Sequence, residues 1–182
     1  MTTESHLEIE IKIPVVDIDL VRQKLSLLQF EKIGDRVFER NLVFDFADSR
    51  LKKSGFLLRL RRTGEEAILT LKKPAHRSRQ YKIRAERNVT VGTGESMRLV
   101  LETLGLKVSF AYEKYRETFR KDETLIMLDQ TPIGDFMEIE GTAGAIDETA
   151  ALLGFQPHDY ILDTYYQLFR QRRRHGHMVF PT

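Results

Sequence analysis

Glu8, Glu10 and Lys12 fall on every second residue of the segment LEIEIKI, with Leu7, Ile9 and Ile11 between them. Side chains two residues apart share one face of a β-strand, so this segment presents a charged face and an apolar one. The pattern recurs along the chain. Arg59 and Arg61 share a face, as do Lys82, Arg84 and Glu86, then Lys114 and Arg116, then Glu138 and Glu140, with Thr70 and Lys72 a milder case. An antiparallel sheet with one solvated face also alternates, but such a face interleaves Thr, Ser and Gln. Here like charges stand two residues apart, and they repel unless something neutralises them. The signs also come in blocks, acids on Glu8/Glu10 and Glu138/Glu140, bases on Arg59/Arg61 and Lys114/Arg116. Clustered Glu oxygens suit a hard cation such as Mg²⁺ or Mn²⁺. Clustered Arg and Lys suit phosphate oxygens. A sheet rolled into a barrel would gather both blocks in one lumen, a site for a metal-bridged polyanion such as a nucleoside triphosphate, thiamine triphosphate or tripolyphosphate.

The elements that position these residues read as α+β. Residues 7–13 form a strand closed by Pro14, and a helix follows from Asp17 as N-cap, with Ile18, Val21, Leu25 and Leu28 on one face. Strands are expected over 37–46, 56–62, 67–73 and 81–91, separated by turn residues. A helix over 95–104 ends at Gly105, a hairpin spans 110–120 and 124–130, and a strand covers 136–140. A helix over 147–153 precedes Gly154, and a last helix covers 165–173. The expectation is a closed antiparallel barrel of about eight strands with helices packed outside. LEIE before a helix ending LLQF is echoed by MEIE before a helix ending LLGF, which suggests pseudo-symmetry.

Composition bounds the reading. The 182 residues, 41% hydrophobic, fit one folded domain, with a basic tail from about residue 170. A net charge of +2 argues against a purely electrostatic nucleic-acid binder and leaves room for a local basic patch. The absence of cysteine excludes disulfides and thiolate metal sites. With no apolar run of membrane-spanning length and no signal-like start, the default expectation is a soluble cytoplasmic protein without a membrane partner. A homodimer is compatible with the sequence. The stretch RQRRRHGH (170–177) reads as a solvated helix end and frayed tail, and Gly92-x-Gly94 as a turn. Tyr112 and Tyr115 could line a base pocket, but residues of this type in strands are more often packing residues.

Glu8-x-Glu10-x-Lys12 resembles the ExExK signature of the CYTH superfamily, the triphosphate tunnel metalloenzymes. The remaining pairs follow in that family's order: Arg59-x-Arg61, Lys72, Arg84-x-Glu86, Lys114-x-Arg116, Asp129 and Glu138-x-Glu140. The resemblance covers roughly 7–166, and the segments FERNLVFDF and SGFLLRLR look most like the bacterial class IV adenylyl cyclase branch. It implies that Glu8, Glu10, Glu138 and Glu140, with Glu86 and Asp129, carry Mg²⁺ or Mn²⁺. Lys12, Arg59, Arg61, Lys72, Arg84, Lys114 and Arg116 would hold the triphosphate, with Glu10, Lys12 and Glu138 at the chemistry. The implied activity is conversion of ATP to cyclic AMP and pyrophosphate, with an inorganic or thiamine triphosphatase as the alternative. A non-catalytic polyphosphate- or RNA-binding module fits the paired Glu residues less well, because carboxylates repel a polyanion unless metal intervenes.

Overall fold

In the computed structural model, which describes residues 6–76, 78–172 and 175–181, nine strands are ordered β1 (His6–Val15), β2 (Glu31–Lys32), β3 (Val37–Phe46), β4 (Leu57–Thr63), β5 (Glu66–Lys72), β6 (Lys82–Val91), β7 (Leu106–Lys121), β8 (Thr124–Thr131) and β9 (Gly134–Glu140). The helices are α1 (Ile18–Leu27), α2 (Arg50–Lys53), α3 (Gly94–Thr103), α4 (Ala143–Leu153) and α5 (Tyr165–Gln171), with a 3₁₀ turn at Pro157–Asp159. The pairing order β7-β3-β4-β5-β6-β1-β9-β8 returns to β7 through the β7–β8 ladder, so eight antiparallel strands close into a barrel. Closure leaves no long unpaired edge. The extra strand β2 pairs with β7 at Arg120 and Phe119, past the point where β3 leaves it.

The alternation read from the sequence is what the barrel uses. Odd residues of β1 and β9, Ile11, Ile13, Met137 and Ile139, point outward and are buried beneath Val21 and Leu25 of α1 and Ile146 and Leu153 of α4. These two helices follow the echoed Glu-x-Glu strands, which lie side by side with Glu10 opposite Glu140 and Lys12 opposite Glu138. On another side Leu101 of α3 covers Phe44 and Leu60. Truncating a fully buried residue such as Ile139 to Ala should cost about 2–5 kcal/mol.

Several local expectations need correction. Pro14 does not end β1, which runs to Val15. The backbone N–H of Lys12 points away from β9, to the carbonyl of Ile161, so the missing N–H of Pro14 falls on the same side. There β6 has already stopped pairing, and proline removes no ladder bond. Helix α4 begins at Ala143 rather than at Asp147, because Thr142 caps it by accepting from the Ala145 N–H. Asp147 instead accepts from the hydroxyls of Tyr81 and Tyr160 and from the Gln80 amide, anchoring the approach to β6. Strand β7 starts at Leu106, directly after Gly105 at φ +90°. The chain end is not a frayed tail as far as it is described. Met178 is fully buried, and its backbone exchanges hydrogen bonds with Ala111 and Glu113 on the edge of β7 opposite β3, in the stretch that β8 does not reach. His177 accepts from the Ala111 N–H, and Phe180 packs on Phe38 and Tyr115. Residues 173 and 174 of that basic stretch lie outside the described residues.

Candidate functional site

Inward-facing positions of all eight barrel strands line one cavity of about 330 Å³. Glu8, Glu10 and Lys12 come from β1, Arg59 and Arg61 from β4, and Lys72 from β5. Arg84 and Glu86 come from β6, Lys114 and Arg116 from β7, and Glu138 and Glu140 from β9. Every site residue named from the sequence is therefore in this wall except Asp129, which stands directly behind Lys114 and Arg116. Lumen residues the sequence reading did not assign join them. Glu39 of β3 is buried against Arg61 (3.2 Å) and Lys114 (3.6 Å). Lys82 pairs with Glu10. Tyr112, read as packing, lines the cavity and accepts from Arg59 (3.3 Å). Tyr165 of α5 enters from the helical layer.

One side of the lumen is an acid pole of Glu8, Glu10, Glu86 and Glu140. Lys72 lies between Glu8 and Glu86, 3.0 Å from the latter. Burial, then the neighbouring Glu10 charge, raises the Glu8 pKa despite Lys72. Burial and the charges of Glu8 and Glu10 push Glu140 up to about 7. Burial would also raise Glu10, but Lys82, Lys72 and Lys12 outweigh it and hold that carboxyl at about 2. Arg84 also faces this pole, yet its guanidinium donates to the carbonyls of Lys73 (2.7 Å) and Gly55 (2.6 Å). Those bonds clamp the approaches to β4 and β6.

The other side is a basic pole of Arg59, Arg61, Lys114 and Arg116. Arg116 grips Asp129 through two 2.6 Å bonds and also reaches Glu138. Asp129 takes further bonds from Lys114 (2.8 Å) and the Tyr165 hydroxyl (2.6 Å). The Arg59 charge, then burial, lowers the Arg61 pKa. The Nε atoms of both Arg59 and Arg61 are buried without a hydrogen-bond partner among the described residues. Between the poles Lys12 and Glu138 form a 2.5 Å ion pair. Burial would lower the Lys12 pKa, but Glu138 and Glu10 more than offset that and raise it. Lys12 is thus held as a cation and is poorly suited to accept a proton.

Among the described residues no three acidic or imidazole side chains stand ready to enclose an ion, because lysine ammonium groups lie between the carboxylates. The donor set still fits a hard divalent cation: all oxygen, buried, and crowded enough that Glu8 and Glu140 are pushed toward the neutral form. Two apolar patches complete the wall, one of Val43, Leu57, Phe110 and Tyr166, the other of Val37, Leu125 and Met127.

No curated protein matches this sequence. Among solved structures, a candidate adenylate cyclase from Vibrio parahaemolyticus superposes with a TM-score of 0.81 at 18% identity, covering 92% of this chain and 99% of that one. The PH1012 protein from Pyrococcus horikoshii OT3 gives 0.76 at 22% identity, over 88% and 98%. A candidate adenylyl cyclase from Hippeastrum, described by a dominant triphosphatase activity, gives 0.66 at 19%, over 91% and 96%. At these identities the likeness shows the fold. Residues 6–156 match the CYTH domain, and with the closed tunnel and its ordered charged strands this chain belongs to the CYTH domain family.

Proposed function

We propose that this tunnel is the active site of a metal-dependent enzyme acting on a triphosphate, with cyclisation of ATP to cyclic AMP and pyrophosphate as the leading reading. The observation that carries it is like-charge strain of both signs in one lumen. At the acid pole Glu8 and Glu140 are pushed up while lysines hold Glu10 and Glu86 down, and at the basic pole Arg61 is pushed down by Arg59 while Arg59 and Arg116 are raised. A divalent cation relieves the first and phosphate oxygens relieve the second, so a metal–triphosphate complex neutralises both at once. Glu8, Glu10, Glu138 and Glu140, with Glu86, would hold Mg²⁺ or Mn²⁺. When bound, the metal would neutralise phosphate charge and lower the pKa of the attacking hydroxyl.

The protein's own part is positioning and charge stabilisation. Arg59 and Arg61 line the cavity with Nε atoms that have no hydrogen-bond partner among the described residues, and Lys114 and Arg116 are fixed beside them. Together they bind the oxygens of the departing pyrophosphate, where negative charge grows as the bond to the α-phosphorus breaks. Lys12, held protonated, neutralises charge at the centre. The patch of Val43, Leu57, Phe110 and Tyr166 favours a substrate with an aromatic end group, hence a nucleotide. Hydrolysis of a triphosphate is the second reading. It is favoured by the likeness to the Hippeastrum structure, which is described by a dominant triphosphatase activity. Incubation with ATP, thiamine triphosphate and tripolyphosphate, each with Mg²⁺ and with Mn²⁺, followed by product identification, decides. Cyclic AMP with pyrophosphate supports the first reading, inorganic phosphate the second, and no product from any of the three rejects both.

A further inference from the structure

We propose that Asp129 and Tyr165 are a positioning pair that fixes the phosphate-binding cations Lys114 and Arg116, and that Asp129 is not a metal ligand. The inference rests on the triphosphate reading of the tunnel and deepens it. Asp129 is fully buried, and its two oxygens accept four bonds. Oδ1 takes Arg116 Nε, while Oδ2 takes an Arg116 terminal nitrogen, Lys114 Nζ and the Tyr165 hydroxyl, all at 2.6–2.8 Å. Each carboxylate oxygen offers about two lone-pair sites, so Oδ2 is fully used and the one site left is on Oδ1, beside the Arg116 guanidinium. A divalent ion on either oxygen would also stand beside two cations and be repelled by both. The contrast with Glu8 is direct: among the described side chains its hydrogen-bond partner is the single flexible ammonium of Lys72, which can swing aside.

Tyr165 reaches this site from outside the matched CYTH segment, which ends at residue 156. Its helix is held at the start by a reciprocal cap between Thr164 and Gln167. Its ring packs against Tyr112 and Phe136, with the ammonium of Lys12 4.4 Å from the ring centroid. Burial and the charges of Asp129 and Glu138 keep the phenol protonated, so it acts as a donor to Oδ2 of Asp129 beside Lys114 and Arg116. The pair thereby sets where Lys114 and Arg116 point. A misplaced cation weakens its bonds to phosphate without touching the acid pole.

The test separates metal from triphosphate. Binding of Mn²⁺ alone is measured by electron paramagnetic resonance. Steady-state turnover gives kcat and KM for whichever triphosphate the wild type converts. Exchange of the Arg116 Nε proton is followed by nitrogen-15 NMR without ligand. Tyr165→Phe should leave the Mn²⁺ affinity within about twofold, raise KM about tenfold, as expected for one lost charge-assisted bond, and speed Arg116 exchange. Asp129→Asn should do the same more strongly, whereas Glu8→Gln should weaken Mn²⁺ at least about tenfold. If Asp129→Asn weakens Mn²⁺ as much as Glu8→Gln does, Asp129 is a ligand and the proposal falls. If Tyr165→Phe leaves both KM and Arg116 exchange unchanged, the phenol only fills space and the proposal also falls. Tyr165→Phe keeps the ring packing, so the test survives should Asp129→Asn fail to fold. A wild type that binds no triphosphate would defeat the tunnel reading, while the exchange measurement would still decide the pair.

Discussion

Glu8 and Asp129 are both buried lumen carboxylates facing cations, yet the two sides of the tunnel treat them differently. At the acid pole four carboxylates face Lys72, Lys82 and Arg84, and the guanidinium of Arg84 is bonded to backbone carbonyls. The partners left are ammonium groups on four-carbon stems, which move at little cost. At the basic pole four cations face Glu39 and Asp129, and the Arg116–Asp129 fork is planar and bidentate. One pole is a loose excess of negative charge that a small ion can reorganise. The other is a rigid excess of positive charge that a polyanion can meet as it stands. Metal and triphosphate therefore ask different things of the two halves, and variants of each half should separate them.

The largest effect is expected at the acid pole and at Glu138 between the poles. Glu10→Gln or Glu138→Gln should lower turnover by on the order of a hundred- to a thousandfold with the fold intact, and chelation by EDTA should abolish it until Mg²⁺ or Mn²⁺ is restored. Circular dichroism confirms the fold, and the product assay reads the rest. Full activity in chelator would collapse the distinction between the poles.

Next in size is the basic pole. Arg59→Ala should weaken ATP and tripolyphosphate binding by about ten- to a hundredfold and leave Mn²⁺ affinity unchanged. Wild-type affinity should rise from AMP to ADP to ATP. Calorimetric titration across that series, with tripolyphosphate, gives both numbers. A flat series would mean that these cations serve the internal ion pairs and not a ligand.

The pairs that set this polarity were legible because they sit two apart on strands whose other face is plainly apolar, as in LEIEIKI and MEIE. Glu39 was not. Its neighbours in FERN, Arg40 on the outer face and Asn41 on the inner, are also polar, so alternation gives no contrast there. Tyr165 was invisible for another reason. It belongs to a short helix, and its partner Asp129 lies 36 residues earlier in the chain, so no local pattern joins them. The docked chain end escaped for the same reason, since the free stretch of β7 beside Ala111 exists only once β8 has turned into β9. Helix α2 is four residues long, too short for periodicity, and is held instead by Asp45, which accepts from the N–H groups of Leu51 and Lys52.

The smallest expected effect is on stability, and its sign is what matters. Glu140 has its folded pKa raised to about 7 from an ordinary 4.5 by burial and by the charges of Glu8 and Glu10. The folded state therefore binds more protons than the unfolded state between those values. The stability contributed by protonated Glu140 is fully present below about pH 4.5 and is lost as pH rises through about 7. A tenfold change in proton affinity is worth about 1.4 kcal/mol. Because Glu140 is only partly buried, the net cost of ionising it is about 1–2 kcal/mol after solvent screening. In EDTA at pH 8, Glu140→Gln should raise Tm by several degrees, while at pH 4.5 the variant and wild type should melt together. Mg²⁺ should stabilise the wild type at pH 8 more than the variant, because the ion neutralises the charge that the substitution removes. Glu138, whose pKa lies well below the ordinary value because Lys12 and Arg116 outweigh its burial, should behave oppositely. Removing that carboxylate leaves two buried cations short of a partner, so Glu138→Gln should lower Tm at pH 8. Equal pH dependence in the two variants would show that the acid pole and the central Lys12–Glu138 pair do not differ in the way their charges imply.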